Sequence, residues 1–211
     1  RSKTSSAVGM TQNLNSHQDG AVRGGYPLLE EFEDLWQEAT ELCEKHRHTP
    51  AFAGYVSGDY AALYHALAEF QGQSWTFLEW GSGLGVLTIM ASRMGFEAYG
   101  IETEATLIEH AEDLAHRYGS DAKFSHGSFI PDGFDISFSD EYEINRTVID
   151  MPSGYDAIDM ELRDFDLVYG FPWPEEHAFF RTIMQQFGSR ETLFLSYDAR
   201  DEIEICRVGD L

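Results

Sequence analysis

Lysine is scarce in this chain. Lys3, Lys45 and Lys123 are the whole complement, and 14 basic residues stand against 37 acidic ones for a formal net charge of −23. Such a surface repels phosphate backbones, and no Lys/Arg cluster beyond Lys45-His46-Arg47 offers the counterion release that nucleic-acid binders use. Nucleic acid is therefore disfavoured as a partner. Cysteine is nearly missing as well: Cys43 and Cys206 lie far apart in apolar surroundings and read as reduced core residues, not as a disulfide or a metal site. The cluster Lys45-His46-Arg47-His48 contains no acidic or thiol partner at ligand spacing, so no metal is expected. No apolar run approaches the roughly 18 residues of a membrane span, and no charged-then-apolar leader is present. These absences predict a cytoplasmic protein without membrane attachment.

What is present suits one α/β domain. With 43% hydrophobic residues in 211, the chain can bury a sizeable core without dividing in two. The acidic surplus reads first as a solvated surface, and second as attraction for a cationic small molecule or basic protein. Residues 1–25 are rich in Ser, Asn, Gln and Gly and read as a flexible tail, leaving 26–211 as the domain. Pro27 suits a first helical position, and Leu28, Leu29, Phe32, Leu35, Trp36, Ala39, Leu42 and Cys43 recur at helical spacing. A second helix follows Ser57-Gly58-Asp59, with Tyr60, Leu63, Tyr64, Leu67 and Phe70 on one face.

The most informative stretch is Leu78-Glu79-Trp80-Gly81-Ser82-Gly83-Leu84-Gly85. It closes an apolar strand-like run from Trp75 and opens a helical run from Val86 to Arg93. Glycines at alternate positions let a backbone turn through conformations that a Cβ blocks, and pass close to a ligand. The pattern departs from the dinucleotide fingerprint Gly-x-Gly-x-x-Gly, because Val86 stands where its third glycine belongs. A nicotinamide cofactor is disfavoured. One strand-helix-strand unit later, Phe96 to Ile101 reads as a second strand with Glu102 at its end, where an ionised carboxylate can accept bonds from two vicinal hydroxyls.

Leu78 to Gly85, together with Glu102, resembles motif I and its acidic partner in the class I S-adenosylmethionine-dependent methyltransferases. The resemblance implies a three-layer Rossmann-like α/β sandwich with a mostly parallel central sheet and N-terminal helices. The elements that follow are compatible with it. Leu107 to Tyr118 is a helix stopped by Gly119, Lys123 to Phe129 a third strand, Phe165 to Tyr169 a fourth, and Glu176 to Gln186 a helix. Glu191 to Tyr197 is a fifth strand and Ile203 to Val208 a last short one, so the C-terminal edge of the sheet is expected to be shortened. An open edge there leaves room for a partner or a second copy, hence a homo-oligomer. Residues 131–163 exceed an ordinary connection; Tyr142 to Ile149 alternates at strand spacing and Pro152-Ser153-Gly154 is a turn, so this segment is read as an inserted hairpin or lid.

The same resemblance implies S-adenosylmethionine as cofactor, with S-adenosylhomocysteine as product, held by Glu79, Gly81, Ser82, Gly83, Gly85, Glu102, Thr103, Ser128, Phe129 and Gly170. Ser128 stands where the family often has an aspartate for the adenine amino group. Tyr55, Ser57 and Asp59 lie in the segment that would cover the methionine end. The acceptor loop is Gly170-Phe171-Pro172-Trp173-Pro174-Glu175-Glu176-His177. It comes near the Asn/Asp-Pro-Pro-aromatic signature of amino-group methyltransferases and the Asp-Pro-Trp-Pro segment of tRNA guanine-N7 methyltransferases, and fits neither. His177, Glu175, Tyr169 and Asp198 are the candidate bases. Two readings follow: a methyltransferase acting on a small-molecule or protein acceptor, or a methyltransferase-fold binding or regulatory module that works through protein partners.

Overall fold

The computed structural model describes residues 27–135, 144, 146–197 and 203–211. The expected tail 1–25, residues 142, 143 and 145 of the expected hairpin, and Asp198 fall outside them.

The chain runs α1 (Glu33–His46), α2 (Tyr60–Ala68), β1 (Thr76–Trp80), α3 (Val86–Arg93), β2 (Glu97–Glu102) and α4 (Ala105–Arg117). It continues through β3 (Lys123–His126), β4 (Leu167–Gly170), α5 (His177–Phe187), β5 (Leu193–Tyr197) and β6 (Ile203–Arg207). The six strands form one sheet in the order β3-β2-β1-β4-β5-β6. Neighbours from β3 to β5 are parallel, and β6 returns antiparallel to β5 with Leu195 opposite Ile205. This is a three-layer α/β sandwich with a mostly parallel sheet.

The layering follows from side chains alternating across each strand. Phe77, Ala98, Leu167 and Tyr169 point into a core shared with α1, α2, α3 and α4. Their neighbours Leu78, Trp80, Tyr99, Ile101 and Val168 point to the other face, where Phe179, Phe180, Ile183 and Met184 of α5 cover them. Parallel strands buried on both faces read as nearly continuous apolar runs, as β1 and β4 do. The amphipathic pattern from Leu28 begins in a 3₁₀ turn at Leu29–Phe32 before α1. Asp59 caps α2 by accepting from Ala62 N at 3.0 Å, which satisfies one of the N–H groups that a helix start leaves unpaired.

Among the described residues, 131–163 contain no strand. They carry 3₁₀ turns at Asp156–Ile158 and Leu162–Asp164, and a lone bridge pairs Ser128 with Ser153. Gly127 permits this approach, since a Cβ there would sit 2.7 Å from Gly154 Cα. The segment's described residues Phe134, Tyr155 and Leu162 pack on the second face of the sheet, and the Tyr155 hydroxyl accepts from Trp80 Nε1 at 2.9 Å. Strand β3 accordingly ends at His126, before the expected Phe129, because the backbone of Ser128 bonds Pro152 and Gly154. No helix among the described residues is long and apolar enough to cross a membrane.

Candidate functional site

The carboxyl ends of β1, β2 and β4 open into one cavity of about 320 Å³. The order of strands changes direction at β1, which has β2 on one side and β4 on the other. A crevice outside the strand ends at such a switch point is where open α/β sheets bind ligands.

The turn after β1 forms the floor. Gly81, Gly83 and Gly85 all have positive φ, at 67°, 54° and 69°. Their surroundings differ. A Cβ on Gly85 would lie 2.5 Å from the Phe124 ring and 2.9 Å from Ala111 Cβ, so this glycine lets α3 and α4 pack against the sheet. A Cβ on Gly83 would strike the Tyr55 ring at 2.5 Å. A Cβ on Gly81 would meet nothing within 4 Å, because that side of the backbone borders the cavity. The turn holds itself through Gly81 N and Ser82 N donating to Ile101 O, at 2.9 and 3.1 Å, and Gly85 N donating to Ser82 O at 2.7 Å. Ser82 Oγ is buried with no partner among the described residues.

Two carboxylates reach the turn. Glu102, 8% exposed, accepts from Gly83 N at Oε2 (2.8 Å). Its Oε1 accepts from Thr103 N (2.7 Å), Glu104 N (3.0 Å) and Thr103 Oγ1 (3.1 Å). A carboxylate held by three backbone N–H groups at the entry to α4 is fixed in place and complements the helix dipole. Since each oxygen offers about two lone-pair positions, Oε2 keeps one position toward the cavity while Oε1 is fully engaged.

Glu79, 7% exposed, accepts at Oε2 from Thr88 N (3.0 Å) and Thr88 Oγ1 (2.5 Å), and so acts as a remote cap for α3. Burial pushes its carboxyl up to about 8 against the opposing pull of the two Thr88 donors, and the charge of Glu102 adds to the rise. Near neutral pH, Glu79 is therefore largely protonated.

The roof comes from two segments. Residues 50–63 bring Tyr55 and Tyr60, whose hydroxyls lie 3.0 Å apart. Burial raises both phenols above their ordinary range, so they remain neutral hydrogen-bonding groups. On the opposite side, Glu176 at the start of α5 is 1% exposed and takes hold of the segment before Pro152. Its Oε1 accepts from Arg146 N (3.0 Å) and Thr147 N (3.2 Å), and its Oε2 from Thr147 Oγ1 (3.0 Å). This brings Arg146, Thr147 and Val148 to the cavity wall beside Phe171 and Trp173.

Of the residues singled out by sequence, Glu79, Gly81, Ser82, Gly83, Glu102, Thr103, Phe129 and Tyr169 line the cavity together. Others are turned elsewhere. Gly85 packs on Phe124, and Gly170 backs onto Phe180, where a Cβ would lie at 2.9 Å. The Ser128 hydroxyl donates to Val148 O at 3.2 Å and accepts from Ile130 N at 3.2 Å, so its proton is committed inside the protein, and Ser128 is not on the cavity wall. Glu175 is exposed, and neither it nor His177 is on the wall, because Glu176 N bonds Trp173 O at 2.8 Å and that turn aims Glu176 inward instead. Phe129 stacks on Trp80 at 4.7 Å and 12°, which presents a flat apolar surface to the cavity.

No family model matches the chain, and no curated protein matches it in sequence. Solved structures do. An RNA methyltransferase from Salinibacter ruber in complex with S-adenosyl-L-homocysteine is similar over 67% of this chain and 76% of its own, at 18% identity and a TM-score of 0.47. An S-adenosylmethionine-dependent methyltransferase from Thiobacillus denitrificans, also with S-adenosyl-L-homocysteine, matches 75% of this chain at 19% identity and a TM-score of 0.46, and this chain spans about half of it (54%). The tRNA (uracil-54, C5)-methyltransferase of Pyrococcus abyssi matches 70% of this chain at 16% identity and a TM-score of 0.44, with 31% of that protein covered.

Proposed function

We propose that this chain is an S-adenosylmethionine-dependent methyltransferase with a small-molecule or protein acceptor. The observation that carries the reading is the pairing of two features at one cavity. Gly81 exposes a backbone that a Cβ would cover, and Glu102 is pinned by three backbone N–H groups with one acceptor position of Oε2 left toward the space. A ligand with ribose hydroxyls and a slender chain suits this arrangement.

Glu102 Oε2, which among the described residues accepts only from Gly83 N, would take one ribose hydroxyl at its remaining position. The backbone of Gly81 and Ser82, on the cavity floor, would hold the methionine part. Phe129, already stacked on Trp80, offers its outer face to the adenine. S-adenosylmethionine bound there would supply an activated methyl group on a sulfonium sulfur. The protein's share is then mostly positioning and the exclusion of water. Glu176 contributes by fixing the wall at Arg146 and Thr147, and the half-buried tyrosine pair by closing the opposite side.

Titration calorimetry with S-adenosylhomocysteine and NAD tests the reading. Binding of the first at micromolar levels and no binding of the second is expected. Glu102→Gln, which removes the charge that holds a hydroxyl, should weaken S-adenosylhomocysteine by at least about ten-fold, or about 1.4 kcal/mol. Absence of heat with S-adenosylhomocysteine in the folded wild-type chain would overturn the proposal. Binding without methyl transfer to any acceptor tried would favour a non-catalytic module instead.

A further inference from the structure

We infer that the acceptor carries a carboxylate, held by Arg146 at the mouth of the cavity; this rests on the methyltransferase reading of the same site. The Arg146 guanidinium carbon lies 3.8 Å from the centroid of the Trp173 ring, and both residues line the cavity. A guanidinium over an aromatic ring packs by preference through its face. Its edge, with the N–H groups arranged as a fork, stays available for a planar anion.

Arg146 is also set apart electrostatically. Acidic residues outnumber basic ones 37 to 14, and Arg93, Arg117, Arg163, Arg181 and Arg207 each have a carboxylate partner. Arg146 has none among the described residues. Arg47 and Arg190 lack one too, but neither reaches the cavity. The nearby Glu176 is occupied by the backbone of Arg146, not by its guanidinium. The arginine is thus placed at the wall by a buried anchor with no carboxylate paired to it among the described residues, an arrangement that an incoming anion completes.

The net charge of −23 does not decide against an anion. At physiological salt, charges beyond about 8 Å are largely screened, so the contact at Arg146 outweighs the remote acids. It does decide between anions. Glu102, Glu104 and Glu176 share the cavity wall and repel a dianionic phosphate more than a monoanionic carboxylate. The body of the molecule is apolar and flat, because Phe171, 37% exposed, stands at the mouth beside Trp173.

The experiment uses the full chain, with and without saturating S-adenosylhomocysteine, titrated with 4-hydroxybenzoate, the neutral 4-hydroxybenzamide and phenyl phosphate. The benzoate is expected to bind at least ten-fold more tightly than the amide or the phosphate ester. Arg146→Gln should lose that preference with an unchanged thermal midpoint, and Arg146→Lys, which keeps the charge but not the fork, should recover only part of it. Benzoate that fails to bind, or binds wild type and Arg146→Gln alike, overturns the inference, as does tighter binding of phenyl phosphate. Failure of S-adenosylhomocysteine to bind overturns the methyltransferase reading instead, and the benzoate series on the unliganded chain then still decides the role of Arg146.

Discussion

Gly81→Ala and Gly85→Ala make a matched pair of perturbations, since both residues have φ near 70° but only one has room for a methyl group. At Gly81 the new Cβ meets open space. The cost is the left-handed conformation alone, about 1–2 kcal/mol. At Gly85 the same conformational cost is joined by overlap with the Phe124 ring at 2.5 Å and Ala111 Cβ at 2.9 Å. Overpacking of that kind adds about 1–3 kcal/mol. For a chain of this size each kcal/mol shifts the midpoint of thermal unfolding by about 2–4 °C, so Gly85→Ala should melt several degrees below Gly81→Ala. Ligand binding should rank the other way. The methyl at Gly81 fills space against which the cofactor lies, and S-adenosylhomocysteine affinity should fall by at least about ten-fold, or about 1.4 kcal/mol. Gly85→Ala, measured where it is folded, should bind close to normally. Circular dichroism melts and calorimetry on both variants decide the matter. Equal loss of stability at the two sites, or unchanged affinity in Gly81→Ala, would refute the division of the turn into one packing glycine and one ligand-facing glycine.

Two further outcomes follow from the carboxylates. Glu79 has a folded-state value of about 8, above its ordinary 4.5, so its contribution to stability is full below about pH 4.5 and is lost as the pH rises through about 8. A cationic ligand reverses that penalty by favouring the ionised form. S-adenosylmethionine should therefore gain affinity between about pH 6 and 9 while S-adenosylhomocysteine, lacking the sulfonium charge, gains less, and Glu79→Gln should abolish the difference in calorimetry. Glu176→Ala leaves two backbone N–H groups and a hydroxyl without their charged acceptor. A loss of about 2–3 kcal/mol is expected by urea unfolding, along with raised hydrogen exchange at Arg146 and Thr147, and unchanged exchange there would count against the anchor.

The parts of the site legible in the sequence were those written in local chemistry. Alternate glycines between a strand and a helix announce Gly81 to Gly85, and Glu102 follows one βα unit later, where a carboxylate must stand to face the turn. The alternation of Phe77, Leu78 and Trp80 likewise announces a strand buried on both sides. Other parts depend on contacts between distant segments. Ser128 has the right chemistry for a ligand, but Val148 O takes its hydroxyl from 20 residues away. Glu175, Glu176 and His177 are adjacent at a helix start, and only the turn closed by Trp173 O decides which of them faces inward. The role of Arg146 required its anchor at Glu176, and the spacing of 30 residues between them carries no periodic signal. A cue did exist: an arginine beside Thr147 in a chain so short of basic residues.

The stack of Trp80 on Phe129 makes the cavity optically addressable. Trp80 lies on its wall with its indole N–H held by Tyr155, whereas Trp36 and Trp75 pack in the core on the other face of the sheet. A ligand sliding over Phe129 changes the polarity and ring contacts around one fixed indole, and at the mouth it meets the second cavity indole, Trp173, under Arg146. Intrinsic emission from the chain thus carries two separable channels, one for each end of the space. Replacing Trp173 by Phe leaves Trp80 as a reporter of the cofactor end, and replacing Trp80 by Phe leaves Trp173 as a reporter of the acceptor end.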